Sequence, residues 1–201
     1  MQPPGRLISS PSAGVEANAR LTGYTAVLLV IPLVAEAVSG LSVGRLLRLH
    51  ALIGFLLLPP VLLKLGSVGY RFVRYYSGET HYRTAGPPSL PMRLLGPVVV
   101  FLTIVVFGTG FELWLFGLRF GFVWVPVHHA SAYLWIVAMG VHVVNYLRRA
   151  PELAVADARD RLQGALARRS LVIASLVLGA ALALAFLPFR SPFGFAQLPG
   201  Q

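Results

Sequence analysis

The residues in this chain best suited to chemistry are its five histidines, and three of them fall in one apolar stretch. Trp124 to Arg149 reads WVPVHHASAYLWIVAMGVHVVNYLRR and carries His128, His129 and His142. His128 and His142 are 14 positions apart. On a helix that spacing returns the second side chain to nearly the same face, about 21 Å further along the axis. An ionisable residue inside an apolar span marks a functional site by default. Neutral imidazole is also an iron ligand. A second apolar stretch carries His50, with Gly54 one turn later and Lys64 14 positions later. The spacing is therefore mirrored, as His50/Lys64 and His128/His142. The chemistry expected is that of an iron porphyrin held between two helices inside a membrane.

If those two helices run the same way, His50 and His128 lie at one depth. They then suit the two axial positions of a haem standing between them. Gly54 would leave room for the porphyrin. His129 points away from the His128 face and is the alternative ligand; otherwise it faces the outer surface or a haem propionate. His142 lies deeper, as the ligand of a second haem or as a buried hydrogen-bonding residue. Its partner by position is Lys64, yet an amine binds iron only when deprotonated, against an ordinary pKa of about 10.4. The other reading of Lys64 is a side chain snorkelling to the interface or pairing with a propionate. One haem b is expected, with a second left open. Glu36 and Glu112 also fall in apolar stretches, placed to shuttle protons, to pair with Arg45 or Arg48, to bind a quinone head group, or simply near the outer interface. His81 lies in a basic loop and is assigned no role.

The elements that must position these residues are membrane spans. Of 201 residues, 56% are hydrophobic and only 12% charged, with a mean hydropathy of +0.73, which is too apolar for a soluble domain. The absence of cysteine excludes disulfides, thiolate metal sites and cysteine-held iron–sulfur clusters. The net charge of +10 would raise nucleic acid in a soluble protein, but here the arginines sit in short loops between spans, so no nucleic-acid partner is expected. No nucleophile and carboxylate group together as in a hydrolase. Catalysis beyond electron transfer is not expected, with quinone oxidation left open.

The expected fold class is all-α: a polytopic membrane protein of five transmembrane helices, with a haem-binding four-helix bundle. Residues 1–20, rich in proline and serine, read as a flexible tail. Residues 21–189 form the transmembrane domain, and residues 190–201 form a tail on the other side. The spans read as Leu21–Val38, Gly44–Leu65 with an interfacial extension to Tyr76, Leu94–Phe116, Trp124–Arg149 and Leu171–Phe189. Ala35-Glu36-Ala37 resembles a signal-peptide cleavage site, so the first span is an uncleaved helix or a leader. Pro59-Pro60 should kink the second span. Gly108 and Gly110 in the third leave room for a neighbouring helix or a flat ligand. Trp114, Trp124, Tyr133 and Trp135 suit an aromatic belt. Pro151–Arg169 is charged and helix-prone, with Leu153, Val155, Leu162, Leu166 and Ala167 on an apolar side that suits the membrane surface.

Orientation follows from the arginines. With the N-terminus in the cytoplasm, twelve arginines lie in cytoplasmic segments and only Arg45, Arg48, Arg119 and Arg190 lie outside. This agrees with the positive-inside rule and puts the C-terminus outside, as for a bacterial inner-membrane protein. His50, His128 and His129 then lie toward the outer face, and His142 and Lys64 toward the cytoplasm.

A histidine pair at i, i+14 on one membrane helix, facing a parallel histidine-bearing helix, resembles the cytochrome b group. That group takes in cytochrome b561, the b subunits of hydrogenase and formate dehydrogenase, and ferric-reductase-like membrane proteins. RLHALIGFLLLPPVLLKLGSVGYRFVRYYSGETHYRTAGPP with VHHASAYLWIVAMGVHVVNYL is similar to small bacterial cytochrome b-like proteins, some linked to periplasmic molybdopterin oxidoreductases. The resemblance covers about residues 45 to 150. It implies a subunit passing electrons between a quinone pool and an extracytoplasmic redox partner. It also implies His50 and His128 as outer haem ligands and His142 as an inner one. Lys64 departs from the di-haem pattern, where a histidine is expected. A haem-free proton or ion transporter, and a membrane anchor subunit of an enzyme complex, are the alternatives.

Overall fold

The computed structural model describes residues 12–159 and 163–192. These form seven helices: α1 (Ala13–Leu41), α2 (Val43–Tyr76), α3 (Thr80–Thr84), α4 (Leu90–Phe116), α5 (Trp124–Tyr146), α6 (Arg149–Arg159) and α7 (Ala165–Phe186). Five of them, α1, α2, α4, α5 and α7, are long and apolar enough to cross a bilayer. The chain is a multi-pass membrane protein, and there is no strand among the described residues.

The side-chain distribution is that of a protein dissolved in lipid. Large apolar residues point outward: Ile31 is 80% exposed, Val144 73% and Val137 69%. Several small polar residues point inward, including Thr25, Ser39, Ser67, Thr103, Thr109, Ser131 and Ser175. Lipid tails are as apolar as leucine, so helices associate through close packing of small residues and through internal hydrogen bonds. Most of these hydroxyls donate to a carbonyl three or four residues back, for example Thr25 to Leu21 and Thr103 to Val99. No donor is left bare in hydrocarbon that way.

The spans assemble as antiparallel pairs. Ser42 alone joins α1 to α2, and its carbonyl accepts from Arg45 and Leu46 at 3.0 Å. Asn18 Nδ2 donates to the Ser67 carbonyl at 3.1 Å and Lys64 Nζ to the Thr22 carbonyl at 2.7 Å, so the two helices lie side by side along their length. The α4–α5 pair is tied by Trp135 Nε1 donating to Thr103 Oγ1 at 2.8 Å, above a cluster of Val99, Leu102 and Ala138. The helix α7 runs along α2, where Phe186 stacks on Phe55 at 4.1 Å between ring centroids. Phe55 also stacks on Phe111 of α4, and Phe107 of α4 closes the cluster of Leu29, Leu57 and Val61. The α2 helix is thus the hub of the bundle.

Several expected boundaries move. Helix α1 begins at Ala13, because Ser12 Oγ caps Val15 N and Glu16 pairs with Arg20 one turn later. Residues 13–20 are therefore helix rather than tail; residues 1–11 and 193–201 lie outside the described residues. The break in α2 falls at Leu46 (φ −117°, ψ 17°), while the backbone stays helical through Pro59-Pro60. Helix α6 ends at Arg159 and packs on α1 through its Leu153–Ala156–Asp157 side, not through Val155, which is exposed. Leu162 lies outside the described residues, and Leu166 belongs to α7 and is exposed. Buried Asp157 holds this turn by accepting from Arg168 Nε at 2.8 Å. Trp114 and Trp135 face inward, leaving Trp124 and Tyr133 as the exposed pair of the expected belt.

The tightest crossing is α7 on α2, where a Cβ on Gly179 would lie 2.1 Å from the Leu56 carbonyl oxygen. Gly179→Ala is expected to destabilise the bundle by about 1–3 kcal/mol, as overpacking does. Gly140→Ala, on α5 with open space around it, should be neutral or slightly stabilising. Thermal unfolding of the two variants in one detergent checks the contrast.

Candidate functional site

Starting α2 and α5 at the same end of the bundle brings His50 and His128 together. Their ring centroids are 6.2 Å apart and their planes are inclined by 74°. Each ring rests on the partner helix of its own hairpin. Behind His50 stand Ser39 and Gly40 of α1; behind His128 stand Thr109 and Gly110 of α4. A Cβ on Gly40 would lie 3.1 Å from His50 Cε1, and a Cβ on Gly110 would lie 3.1 Å from His128 Cε1. The two hairpins therefore seat their histidines alike, each on a hydroxyl–glycine dipeptide.

The hydrogen bonds fix which ring nitrogen is which. Ser39 Oγ donates its proton to the Glu36 carbonyl at 3.0 Å, and Thr109 Oγ1 donates its own to the Val105 carbonyl at 2.7 Å. Each hydroxyl has one proton to give, so toward the imidazole it accepts. His128 Nδ1 therefore donates to Thr109 Oγ1 at 2.9 Å. His50 Nδ1 donates to Ser39 Oγ and to the Glu36 carbonyl, both at 3.3 Å. Glu36 Oε1 stands 3.4 Å from the same nitrogen. Among the described residues neither Nε2 has a hydrogen-bond partner. Both rings thus carry the Nδ1 proton and leave the Nε2 lone pair for a ligand. Protein acceptors on one ring nitrogen are the usual support of a histidine that binds metal through the other.

A metal–imidazole bond is about 2 Å long, so two imidazoles on opposite sides of one metal have ring centres about 6 Å apart. The observed separation matches that span. His50 and His128 are thus the residues that could hold one metal, or the iron of a haem, between them. Among the described residues, no group of three or more histidines and carboxylates is placed to hold a metal ion. An axial pair needs only two.

The other sequence candidates separate from this site. Gly54 faces α1, where its missing Cβ makes room for Glu36 Oε1 at 3.4 Å; it does not open the gap between the histidines. His129 is exposed, with its ring 6.4 Å from that of His128. At the other end of the bundle, Lys64 gives its amine to α1. His142 packs against Tyr146 at 4.9 Å and its Nδ1 is buried without a partner. The mirrored spacing therefore yields an imidazole pair at one level only. Glu36 Oε2 and both oxygens of Glu112 are also buried without partners, and neither acid pairs with Arg45 or Arg48. Sequence reading missed the two supporting dipeptides, although Ser39-Gly40 and Thr109-Gly110 stand in plain view.

A scan against protein-family models, a search of characterised proteins and a search of solved structures each returned no match to this chain. The reading of the site rests on its geometry.

In ¹⁵N spectra of protein labelled at histidine and purified without porphyrin, His50 and His128 are expected as Nδ1–H tautomers. Thr109→Val should remove that preference at His128 and leave His50 unchanged. An Nε2–H signal from both rings in the unmodified protein would contradict the assignment.

Proposed function

We propose that this chain is a membrane-embedded b-type cytochrome subunit, carrying one haem between α2 and α5. The observation that carries the reading is the His50–His128 pair: two imidazoles at one level, 6.2 Å between centroids, each with Nδ1 held by its own hairpin. When bound, the haem supplies reversible one-electron chemistry. The chain supplies the rest. Ser39 and Thr109 fix the ring orientations, and Gly40 and Gly110 let those rings approach α1 and α4. Glu36 Oε1 stands 3.4 Å from His50 Nδ1, on the side of the ring away from Nε2. The surrounding apolar bundle keeps water away from the iron.

His142 and Lys64 do not offer a comparable pair, so the reading is of one haem rather than two. With twelve arginines toward the cytoplasm, the haem lies near the extracytoplasmic face of a bacterial inner membrane. That placement suits exchange between membrane quinone and a redox protein docked outside, such as the molybdopterin oxidoreductases implied by the sequence resemblance.

A reduced-minus-oxidised spectrum with haem extraction tests the reading on protein made with ample haem. The expected result is a b-type spectrum and one haem per chain. His50→Ala and His128→Ala should each abolish it, whereas His142→Ala, Lys64→Met and His129→Ala should retain it. A spectrum without a b-type band, or one that survives both His50→Ala and His128→Ala, overturns the proposal.

A further inference from the structure

A second feature, on the far side of α2 from His50, is a basic groove where the start of α2 meets the ends of α4 and α7. Its polar half, of about 520 Å³, is lined by Arg45, Arg48, Arg190, Ser191 and Trp114, among others. Adjoining it through the same Arg45 and Arg48 is an apolar half of about 480 Å³, walled by Leu46, Leu49, Leu52 and Leu187. No acidic residue lines either half. Arg48 donates to the Leu187 carbonyl, which holds its guanidinium across the α2–α7 seam. Among the described residues, the guanidinium groups of Arg45 and Arg190 have no hydrogen bond or ion pair. Trp114 is only 7% exposed, yet its Nε1 has no hydrogen-bond partner. A buried donor left unpaired is costly.

We infer that this groove holds one anionic phospholipid, with its phosphate among Arg45, Arg48 and Arg190 and an acyl chain along Leu46, Leu49 and Leu52. Shape and charge both match such a lipid. A shallow cationic depression at the end of a membrane bundle, sharing Arg45 and Arg48 with an open leucine-lined surface on the outside of α2, presents the two halves of a lipid in their natural order. Guanidinium is the side chain best matched to phosphate oxygens, and basic pockets between membrane helices select anionic head groups. A soluble acidic partner would use the arginines but leave the leucine-lined half without an occupant. This site is independent of the histidine pair.

Native mass spectrometry of the purified chain tests the inference, together with its thermal stability in nanodiscs of phosphatidylglycerol or phosphatidylcholine. The unmodified protein is expected to retain one anionic phospholipid and to melt higher in phosphatidylglycerol. Each interfacial cation contributes about fivefold to binding an anionic lipid surface, so the Arg45→Gln/Arg190→Gln double variant should bind that lipid about thirtyfold more weakly. Circular dichroism of the variants in phosphatidylcholine controls for folding. Equal melting in the two lipids overturns the inference, as does full retention of the lipid by the double variant. Equal stabilisation by millimolar inorganic phosphate in detergent also overturns it, because the pocket would then recognise a free anion.

Discussion

Two buried hydroxyl groups govern the orientation of the histidine pair. Ser39 and Thr109 each spend their single proton on a carbonyl of their own helix, an obligation that the absence of water inside a bilayer imposes. What remains toward the neighbouring helix is a lone pair, and the imidazole opposite must supply the proton. The tautomer of each ring thus follows from the hydrogen-bond economy of a membrane helix. Once Nδ1 is committed to the protein, Nε2 is the nitrogen left for chemistry. The same constraint explains why a glycine follows each hydroxyl. A side chain at Gly40 or Gly110 would stand where the imidazole edge must lie for its Nδ1 to reach the hydroxyl.

The pair meets only because α2 is packed on several sides by different means. Against α1 it uses polar contacts at both ends of the hairpin. Against α7 it uses Gly179, which lets the Leu56 carbonyl approach closely, and the Phe55–Phe186 stack. Against α4 it uses Phe55 on Phe111. Helix α5 leans on α4 rather than on α2, so His128 reaches His50 from a separately built hairpin. Two rigid pairs meeting along one seam, with imidazoles facing across it, are a suitable frame for a flat ligand. Each half can be fixed internally without the other.

Much of this frame was legible in the sequence. Helix number and approximate spans follow from hydropathy, since an apolar run of this length satisfies its own backbone in lipid as a helix. The choice of His50 and His128 follows from equal depth on parallel spans. Three things were not legible. Periodicity cannot tell a lipid-facing tryptophan from a packed one, so Trp114 and Trp135 looked interfacial. A kink was expected at Pro59-Pro60, whereas the non-helical backbone inside α2 lies at Leu46, where the chain leaves a one-residue turn. Gly54 was weighed as space for a porphyrin, when it lies against Glu36; Gly110 was weighed as room for a neighbouring helix or a flat ligand and receives His128 of α5; Gly40, which seats His50, carried no expectation. Position along one helix says which residues share a face. It does not say which neighbour that face meets.

Lys64 shows the same limit in its sharpest form. It stands one 14-residue period after His50, the place where a second ligand would be expected, and helical geometry does put the two on one face. An ammonium that donates to a carbonyl has no lone pair to offer a metal. Its bond to Thr22, beside the Thr22–Ser67 and Asn18–Ser67 contacts, closes the α1–α2 hairpin at the end away from its turn. A hairpin pinned at Ser42 alone could slide or splay along its length. Pinned also at Lys64, it has one register, and that register sets Ser39 and Gly40 behind His50. Lys64 therefore fixes the far end of the hairpin that carries Ser39, Gly40 and His50 at its turn. A lysine does this better than a histidine would, because its long stem reaches across to α1 while its head finds a carbonyl.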